Sequence, residues 1–351
     1  MVETIPIFKA SVPSLESVLP YLAKMHEAQV FSNNGPLVRE LERRIGKLFG
    51  FSPEHVCTVS NATLGLLGAI QTSNQMQNDI SIPSWTFAAT VLAGVQSGAS
   101  ICLSDVSKDH RSKASENKNS VEVLPFGATL RECESFLIDA AASFDAATSS
   151  AIHLKPHQGL VVSLHATKSL PAGEGGFFLS HDLAWVDRVR SWCSFGFKPG
   201  KRQSELTGLN AKMPEVSAAY GLAALDQWPV LRAEQLSLKE RYIAECSQRG
   251  IIVAPPSLEI VANPYFLISV DPNKKQSLIE SLARNGVETR DWWGDGAHKM
   301  PAFQNLYREP MRTTEYLASS TLGLPFWLGI NPDKLLRIVG EAHKVLELES
   351  Q

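Results

Sequence analysis

The organisation of this chain is decided by residues 163–176, whose sequence is SLHATKSLPAGEGG. An apolar run, GLVV at 159–162, leads into this stretch, and a second apolar run, FFL at 177–179, follows it. Between these two predicted strands lies Lys168, in a loop rich in Gly, Ser and Thr where a polar ligand can approach the backbone. Because an unpaired buried ammonium is costly, Lys168 is either held by chemistry or is a surface lysine on a hairpin turn.

A carboxylate ends another apolar run about thirty residues earlier in the chain. This run is FLID at 136–139, and small residues follow Asp139. A strand-end Asp followed by a strand-end Lys is typical of an α/β enzyme whose ligand lies at the carboxyl ends of its strands. An aspartate for a pyridinium nitrogen and a lysine for an aldehyde are what pyridoxal phosphate (PLP) requires of a protein.

The motifs, taken in order, resemble the DegT/StrS-type sugar aminotransferases, a branch of the fold-type-I PLP enzymes. The matching segments are the family's first long helix, phosphate loop, cofactor-stacking segment, lysine signature and partner-subunit loop, at residues 34–42, 59–63, 83–87, 163–176 and 208–213. The resemblance implies an α/β fold, with a mostly parallel sheet flanked by helices in a large domain and a small α+β C-terminal domain. We place the boundary near Gln227-Trp228-Pro229, giving domains 1–228 and 229–351, and leave open whether the N-terminal helix packs with the small domain.

The resemblance also implies a set of site residues. Lys168 is expected to bind the PLP aldehyde and then to act as the base, and Asp139 to pair with the ring nitrogen. Phe87 is expected to lie flat on the ring, with Trp85 as the fallback. The other implied cofactor contacts are the phosphate-binding residues Ser60, Ala62, Thr63 and Ser163, and Asn210 from the partner subunit. An active site shared in this way implies a homodimer.

Three residues are candidates for contacting the substrate. Lys198 lies in a basic loop that relatives place near the substrate's nucleotide, although a solvated basic loop without a binding role is the alternative. Lys212 stands where relatives usually have Arg. His298 lies in a segment that resembles one entering the family's active site, although an ordinary exposed histidine is an equal alternative. A further departure from the family pattern is Ala142, where relatives have His or Gln.

Composition excludes several classes of protein. The 351 residues carry a net charge of −3 with a pI near 6.3, which gives no general attraction to nucleic acid or to an anionic membrane. The five cysteines are scattered, so we expect no metal site and a reducing compartment. The N-terminus lacks the features of a signal peptide, and no stretch approaches the ~20 apolar residues of a spanning helix. We therefore predict a cytoplasmic protein.

Local patterns predict several further elements. Residues 14–28 have helical spacing with a kink or break at Pro20, and separate helices are expected at 216–228 and 231–249. Residues 107–120 are polar and predict a solvated loop. The family normally has more chain between Asp105 and Asp139, so this region is unusually short.

The predicted function is transfer of an amino group from an amino acid, glutamate in the first instance, to a keto-sugar, expected to be nucleotide-linked, in polysaccharide or deoxysugar biosynthesis. Some relatives replace the lysine with His and dehydrate deoxysugars, so Lys168 favours transamination. The alternative is a non-catalytic regulatory protein that binds PLP on the same fold. The short 105–139 region and Ala142 motivate that alternative.

Overall fold

The strands and helices predicted around the lysine stretch form a layered α/β structure. The computed structural model describes residues 3–198 and 200–348. Its helices are α1 (Leu15–Ala28), α2 (Pro36–Phe49), α3 (Ala62–Thr72), α4 (Ala88–Ser97), α5 (Phe144–Ser150), α6 (Leu183–Trp192), α7 (Glu215–Gln248), α8 (Pro272–Arg284), α9 (Arg312–Ser320) and α10 (Pro332–Leu348). Its strands are β1 (Val56–Val59), β2 (Ile80–Pro83), β3 (Ile101–Ser104), β4 (Val121–Val123), β5 (Leu137–Asp139), β6 (Gly159–Ser163), β7 (Gly176–Ser180), β8 (Phe266–Ser269), β9 (Tyr307–Arg308) and β10 (Thr321–Leu324).

The strands that surround the lysine stretch form a mixed sheet. One set pairs in the order β1-β7-β6-β5-β4, and a second set in the order β2-β3-β9. A parallel bridge between Ser81 and Ser120 places β2 beside the start of β4, so the second set continues the first. β7 is antiparallel to β1 and β6, whereas the other pairs of these sets run parallel. The predicted fold, a mostly parallel sheet flanked by helices, is confirmed.

Alternate residues of the central strands face two different apolar layers. On β6, Leu160 and Val162 pack into the core that includes side chains of α2, α5 and α7. Val161, between them, packs into the core that includes side chains of α3, α4 and α6. Phe177 and Phe178 of β7 divide between the same two cores. The period of two along each strand therefore covers both faces of the sheet and leaves the strand ends as the place for a ligand.

The C-terminal part of the chain has its own core, built on the antiparallel pair β8 and β10. The two helices predicted at 216–228 and 231–249 are wrong as separate elements, because α7 continues through Pro229. The predicted domain boundary lies inside this helix and stays a prediction. Pro20 also lies within one continuous helix, α1. It is the residues before α1 that reach the C-terminal part, where Ile5 pairs with Val287.

The prediction of a solvated loop at 107–120 is wrong for its middle. His110, Arg111 and Ser112 are buried. The guanidinium of Arg111 forms an ion pair with Glu259 (3.0 Å), which lies 148 residues further along the chain. A local polar pattern does not reveal such a partner, and the ion pair offsets part of the cost of burying the charge.

Candidate active site

The lysine loop is a compact turn between β6 and β7. Two backbone bonds close its base, from Leu164 N–H to the Gly175 carbonyl (2.9 Å) and from Ala166 N–H to the Gly173 carbonyl (2.7 Å). Gly173 has φ +79°, a conformation that favours glycine. The Lys168 amine donates a hydrogen bond to the phenol oxygen of Tyr265, with Nζ 2.8 Å from Oη. The surface-lysine alternative is therefore wrong, because the amine is half-buried and partnered.

Asp139 ends β5 and is 5% exposed. Its Oδ2 accepts a hydrogen bond from the Thr90 hydroxyl (2.7 Å), and its Oδ1 accepts one from the Ala141 N–H (3.0 Å). Burial raises the pKa of this carboxyl, while these bonds and the charge of Lys168 oppose the rise. Asp139 faces Val161 in the parallel β5–β6 ladder, and the loop that carries Lys168 follows β6, so the two predicted catalytic residues lie at the same edge of the sheet.

The predicted phosphate loop forms the start of α3. Asn61 caps the helix by accepting a hydrogen bond from Leu64 N–H (2.9 Å). Ala62 and Thr63 are the first residues of the helix, so their N–H groups have no carbonyl partner within it and lie at its positive end. The Ser60 hydroxyl is buried and has no hydrogen-bond partner among the described residues. Together these groups provide unused donors for an anion.

Ser163 is brought to the same place by the pairing of the strands. In the β1–β7 ladder Val59 faces Gly176, and in the β6–β7 ladder Ser163 faces the same glycine. A side chain at Gly176 would place its Cβ 3.0 Å from the Ala62 nitrogen. The glycine therefore lets the start of α3 approach the strand that carries Ser163.

The two aromatic candidates have different environments. Phe87 is 64% exposed and lines an open depression of about 450 Å³, together with Arg290, Trp292, Trp293 and Lys299. Trp85 is 1% exposed and packs edge-on against Trp293, with ring centroids 5.3 Å apart. Only Phe87 of the two has a face free to cover a planar ligand, so Trp85 is a core residue.

His298 is buried beneath the segment that lines this depression. Its Nδ1 is hydrogen-bonded to the Ser84 hydroxyl (2.7 Å). Its Nε2 is buried 3.5 Å from Glu315 Oε1, without a hydrogen-bond partner among the described residues. Burial lowers the pKa of this imidazole. The alternative of an exposed histidine is wrong, and a direct substrate contact by His298 stays a prediction.

The segment that carries the partner-loop candidates Asn210 and Lys212 adjoins the phosphate loop of its own chain, because the Ala211 carbonyl accepts a hydrogen bond from Ser60 N–H (2.8 Å). Lys212 donates a hydrogen bond to Asn210 Oδ1 (2.6 Å) and lies over the Phe195 ring. Lys198 is exposed and forms an ion pair with Glu205. Pro199, in the same predicted basic loop, lies outside the described residues, as do Met1 and Val2 of the N-terminus. No described hydrogen bond or ion pair joins these three candidates to Lys168 or Asp139.

Two residues of the site were not predicted from the sequence. Thr90 lies in the first turn of α4, three residues after Phe87, and Tyr265 immediately precedes β8. An aromatic hydroxyl next to an apolar strand signals a buried phenol in need of a partner, but it does not say which one. Their partners, Asp139 and Lys168, are 49 and 97 residues away in the chain.

The residues present fit PLP. The unpartnered Ser60 hydroxyl and the start of α3 suit its phosphate, the buried Asp139 suits a protonated ring nitrogen, and the Lys168 amine suits its aldehyde. PLP, when bound, supplies an electron-withdrawing ring that stabilises negative charge on the carbon next to the amino group.

Comparison with known proteins agrees with this geometry. The sequence model of the DegT/DnrJ/EryC1/StrS aminotransferase family matches residues 15–118 and 135–342. The dTDP-4-amino-4,6-dideoxy-D-glucose transaminase of Escherichia coli is 24% identical over 96% of this chain and 97% of its own length.

Two solved structures share the fold. DesI, in the presence of its TDP-sugar product, is 26% identical with a TM-score of 0.84, covering 100% of this chain and 96% of its own. A PLP-dependent aminotransferase from Bacillus cereus ATCC 10987 is 25% identical with a TM-score of 0.84, covering 97% of this chain and 100% of its own. The segment that the family model leaves unmatched, 119–134, lies in the short region between Asp105 and Asp139.

Proposed function

This chain belongs to the DegT/DnrJ/EryC1/StrS aminotransferase family, and we propose that it transfers an amino group from glutamate to the ketone of a nucleotide-linked keto-sugar. Membership of the family makes it a PLP-dependent aminotransferase. The E. coli transaminase is named after a dTDP-linked amino sugar, and DesI was solved in the presence of its TDP-sugar product. Both similarities support a nucleotide-linked sugar as the acceptor. The observation that carries the proposal is that Asp139 and the loop carrying Lys168 follow the same ends of the neighbouring parallel strands β5 and β6. A role in polysaccharide or deoxysugar biosynthesis, and a cytoplasmic location, belong to the same proposal.

Each residue of the site has a defined task in this proposal. The Lys168 amine takes the proton from the α-carbon of the amino donor onto Nζ and, with PLP bound, would return it to the carbon of the cofactor that had carried the aldehyde. Asp139 stays ionised and accepts the ring N–H, which keeps the ring protonated. Ser60, Ala62, Thr63 and Ser163 hold the phosphate, and Phe87 covers the ring.

The open depression beside Phe87 is the proposed place for the keto-sugar. Trp292 and Trp293 offer flat apolar faces to a sugar ring or a base, and Arg290 and Lys299 offer cations to a pyrophosphate. His298 and Ser84 support this wall from beneath. Asp291 and Asp295 also line the depression and balance these two charges, so its flat apolar faces, rather than an overall positive charge, favour a sugar or base here. None of the helices in the described ranges combines the length and the apolar composition of a membrane span.

A homodimer with shared active sites completes the proposal. Phe195 and Leu209, 46% and 45% exposed, flank the loop that carries Asn210 and Lys212. Exposed apolar side chains of this size, side by side, are typical of a surface that a second subunit covers. In this arrangement Asn210 contacts the phosphate, and Lys212 and Lys198 contact the substrate, in the partner's site.

The function is tested first by spectroscopy. Protein loaded with PLP is expected to show the visible band of a lysine-bound cofactor, and Lys168→Ala to lack it, while Lys47→Ala, a change of an exposed lysine, keeps it. Glutamate should bleach the band, and a nucleotide-linked keto-sugar should restore it, beginning with a dTDP-4-keto-6-deoxyhexose. A band in Lys168→Ala equal to wild type would remove the basis of the proposal.

The shared site is tested by mixing two inactive variants. In a dimer of one Lys168→Ala chain and one Asn210→Asp chain, one site combines an intact Lys168 with an intact Asn210. Unfolding and refolding the two together should restore roughly a quarter of wild-type activity, because random pairing gives half mixed dimers with one working site each. If the mixture stays as inactive as its parts, Asn210 does not act across the interface.

A further inference from the structure

The Tyr265 phenol contacts the Lys168 amine directly, from a position 97 residues further along the chain. Tyr265 is 8% exposed and comes from the C-terminal part of the chain, whereas Lys168 comes from the loop between β6 and β7. The 2.8 Å bond joins the two parts at the reacting amine. We propose that the Tyr265 hydroxyl is a positioning group that holds Lys168 Nζ in place for proton transfer, an inference that rests on the proposed role of Lys168.

The phenol is itself held rigidly. The Tyr265 N–H donates to Asn263 Oδ1 (2.9 Å), which fixes the backbone before β8. Its ring packs edge-on against Trp292 (5.2 Å between centroids, 85° between planes) and against Phe126 (5.8 Å, 74°). A side chain confined in this way costs little further entropy when its hydroxyl orders a second group.

The reaction needs such a group because a lysine amine is mobile. Its flexible four-carbon stem allows many positions of Nζ. Proton transfer between two carbons requires the lone pair of the amine to point at each carbon in turn, and a displacement of about 1 Å can cost ~100-fold in rate. By accepting one N–H of the amine, Tyr265 Oη leaves the lone pair free and directed. The proton that moves resides on Lys168 Nζ, and the phenol is unchanged at the end of the cycle.

The hydroxyl and the ring can be separated experimentally. Lys168 Nζ also lies over the Tyr265 ring, 5.5 Å from its centroid. Tyr265→Phe keeps this cation–π contact and the packing with Trp292 and Phe126, and it removes only the hydrogen bond. Tyr21→Phe is the matched control, because it removes a hydroxyl that is bonded to Asp226 (2.7 Å) in the contact between α1 and α7.

The test uses the PLP-loaded protein and glutamate as the amino donor. In Tyr265→Phe, we expect the single-turnover bleaching rate to fall by about 10- to 100-fold with little change in KM, and its pH profile to be displaced. Tyr21→Phe is expected to match wild type. Unchanged bleaching in Tyr265→Phe would overturn the proposal, and so would a slower rate with an unchanged pH profile, which indicates a merely structural effect.

A second readout needs no activity. In the PLP-free protein, Lys168 should be acylated faster in Tyr265→Phe than in wild type at the same pH, because the amine is no longer held, while exposed Lys47 reacts equally in both. Equal Lys168 rates would overturn the proposal. Failure of the proposed function would be a separate result. A visible band that persists in Lys168→Ala would disprove the role of Lys168, whatever the result for Tyr265→Phe.

Discussion

The Thr90 hydroxyl donates a hydrogen bond to Oδ2 of Asp139 over 2.7 Å, and both side chains are buried. The Thr86 hydroxyl lies 2.7 Å from that of Thr90 and extends the chain of polar groups. Ala142, three residues after Asp139, offers no side-chain hydrogen bond. In this chain, α4 therefore supplies a polar contact to the carboxylate. The position of Asp139 depends on a helix that begins directly after the residue expected to cover the ring.

Thr90→Val tests this contact, because it keeps the shape of the side chain and removes the hydroxyl. Since the Thr90 bond lowers the pKa of Asp139, its loss should raise that pKa further. The buried oxygen left unpaired costs the folded PLP-free protein about 1–3 kcal/mol. PLP affinity should fall at pH values where the higher pKa leaves the carboxyl protonated, by about 10-fold if the pKa rises by about one unit. The acid limb of activity should move to higher pH, because the ionised form is the one that binds the ring N–H.

The measurements are a PLP titration and a pH profile of glutamate-driven bleaching. Thr90→Ser, which keeps a hydroxyl, is the control and should stay close to wild type. An affinity and an acid limb in Thr90→Val equal to those of wild type would mean that Ala141 N–H alone holds the carboxylate.

Ser60→Ala should change stability and cofactor affinity in opposite directions. A buried hydroxyl without a partner is destabilising, so its removal should leave the PLP-free protein as stable or more stable, by up to about 1–3 kcal/mol. The same change removes a donor to the phosphate and should weaken PLP binding by about 1–2 kcal/mol.

Ser104→Ala is the matched control for Ser60→Ala. Its hydroxyl is also buried without a partner among the described residues, but it is not assigned to the cofactor. We expect it to leave PLP affinity unchanged. Thermal melts with and without PLP separate the two variants, and equal PLP affinity in both would remove Ser60 from the phosphate site.

The candidate site could be predicted to the extent that it lies at strand ends. Asp139 and Ser163 end the neighbouring parallel strands β5 and β6, which predicts that they meet at one edge of the sheet. Ser60 reaches the same edge because β1 runs in the same direction as β6, with the antiparallel β7 between them. Tyr265 could not be predicted in this way, because no local spacing links a residue before β8 to a lysine 97 positions earlier.

Burial of charge was equally hidden from the sequence. The polar neighbours of Arg111 in the sequence predict an exposed side chain. Its burial is stabilised by an ion pair with Glu259, which is distant in the sequence. The sequence also did not predict that α7 continues past Pro229. A proline removes one backbone hydrogen bond from a helix, and the packing of the helix before and after Pro229 outweighs that loss.

Glu122→Gln should make the unfolding of the PLP-free protein less dependent on pH. Glu122 is 3% exposed, and burial raises its pKa from 4.5 to about 7, against the opposing charge of Arg111. A carboxyl whose folded pKa is raised stabilises the protein at low pH and loses that contribution as the pH rises through about 7. The loss amounts to no more than about 3 kcal/mol.

The comparison is between wild type and Glu122→Gln, each melted at about pH 5 and about pH 8. The variant's advantage should be larger at the higher pH, where wild type must bury an ionised carboxylate. His110 has its pKa lowered to about 4 by burial and acts in the opposite sense, but it is present in both proteins and cancels. A difference in melting temperature that does not change with pH would contradict the prediction.

Gly176→Ala should weaken PLP binding through sterics at the phosphate loop. The added Cβ would lie 2.8 Å from the Val162 carbonyl oxygen and 3.0 Å from the Ala62 nitrogen, both of them backbone atoms. Relief requires the start of α3 to move away from β7, which separates its N–H groups from Ser163. We expect a fall in PLP affinity of about 10-fold or more, since overpacking of this kind costs about 1–3 kcal/mol.

Gly340→Ala, on α10 with no atom within 4 Å of the added Cβ, is the control and should bind PLP like wild type. The titration decides between a phosphate seat that depends on this close approach and one that tolerates its loss, and only the first is compatible with Ser163 and the start of α3 sharing one anion.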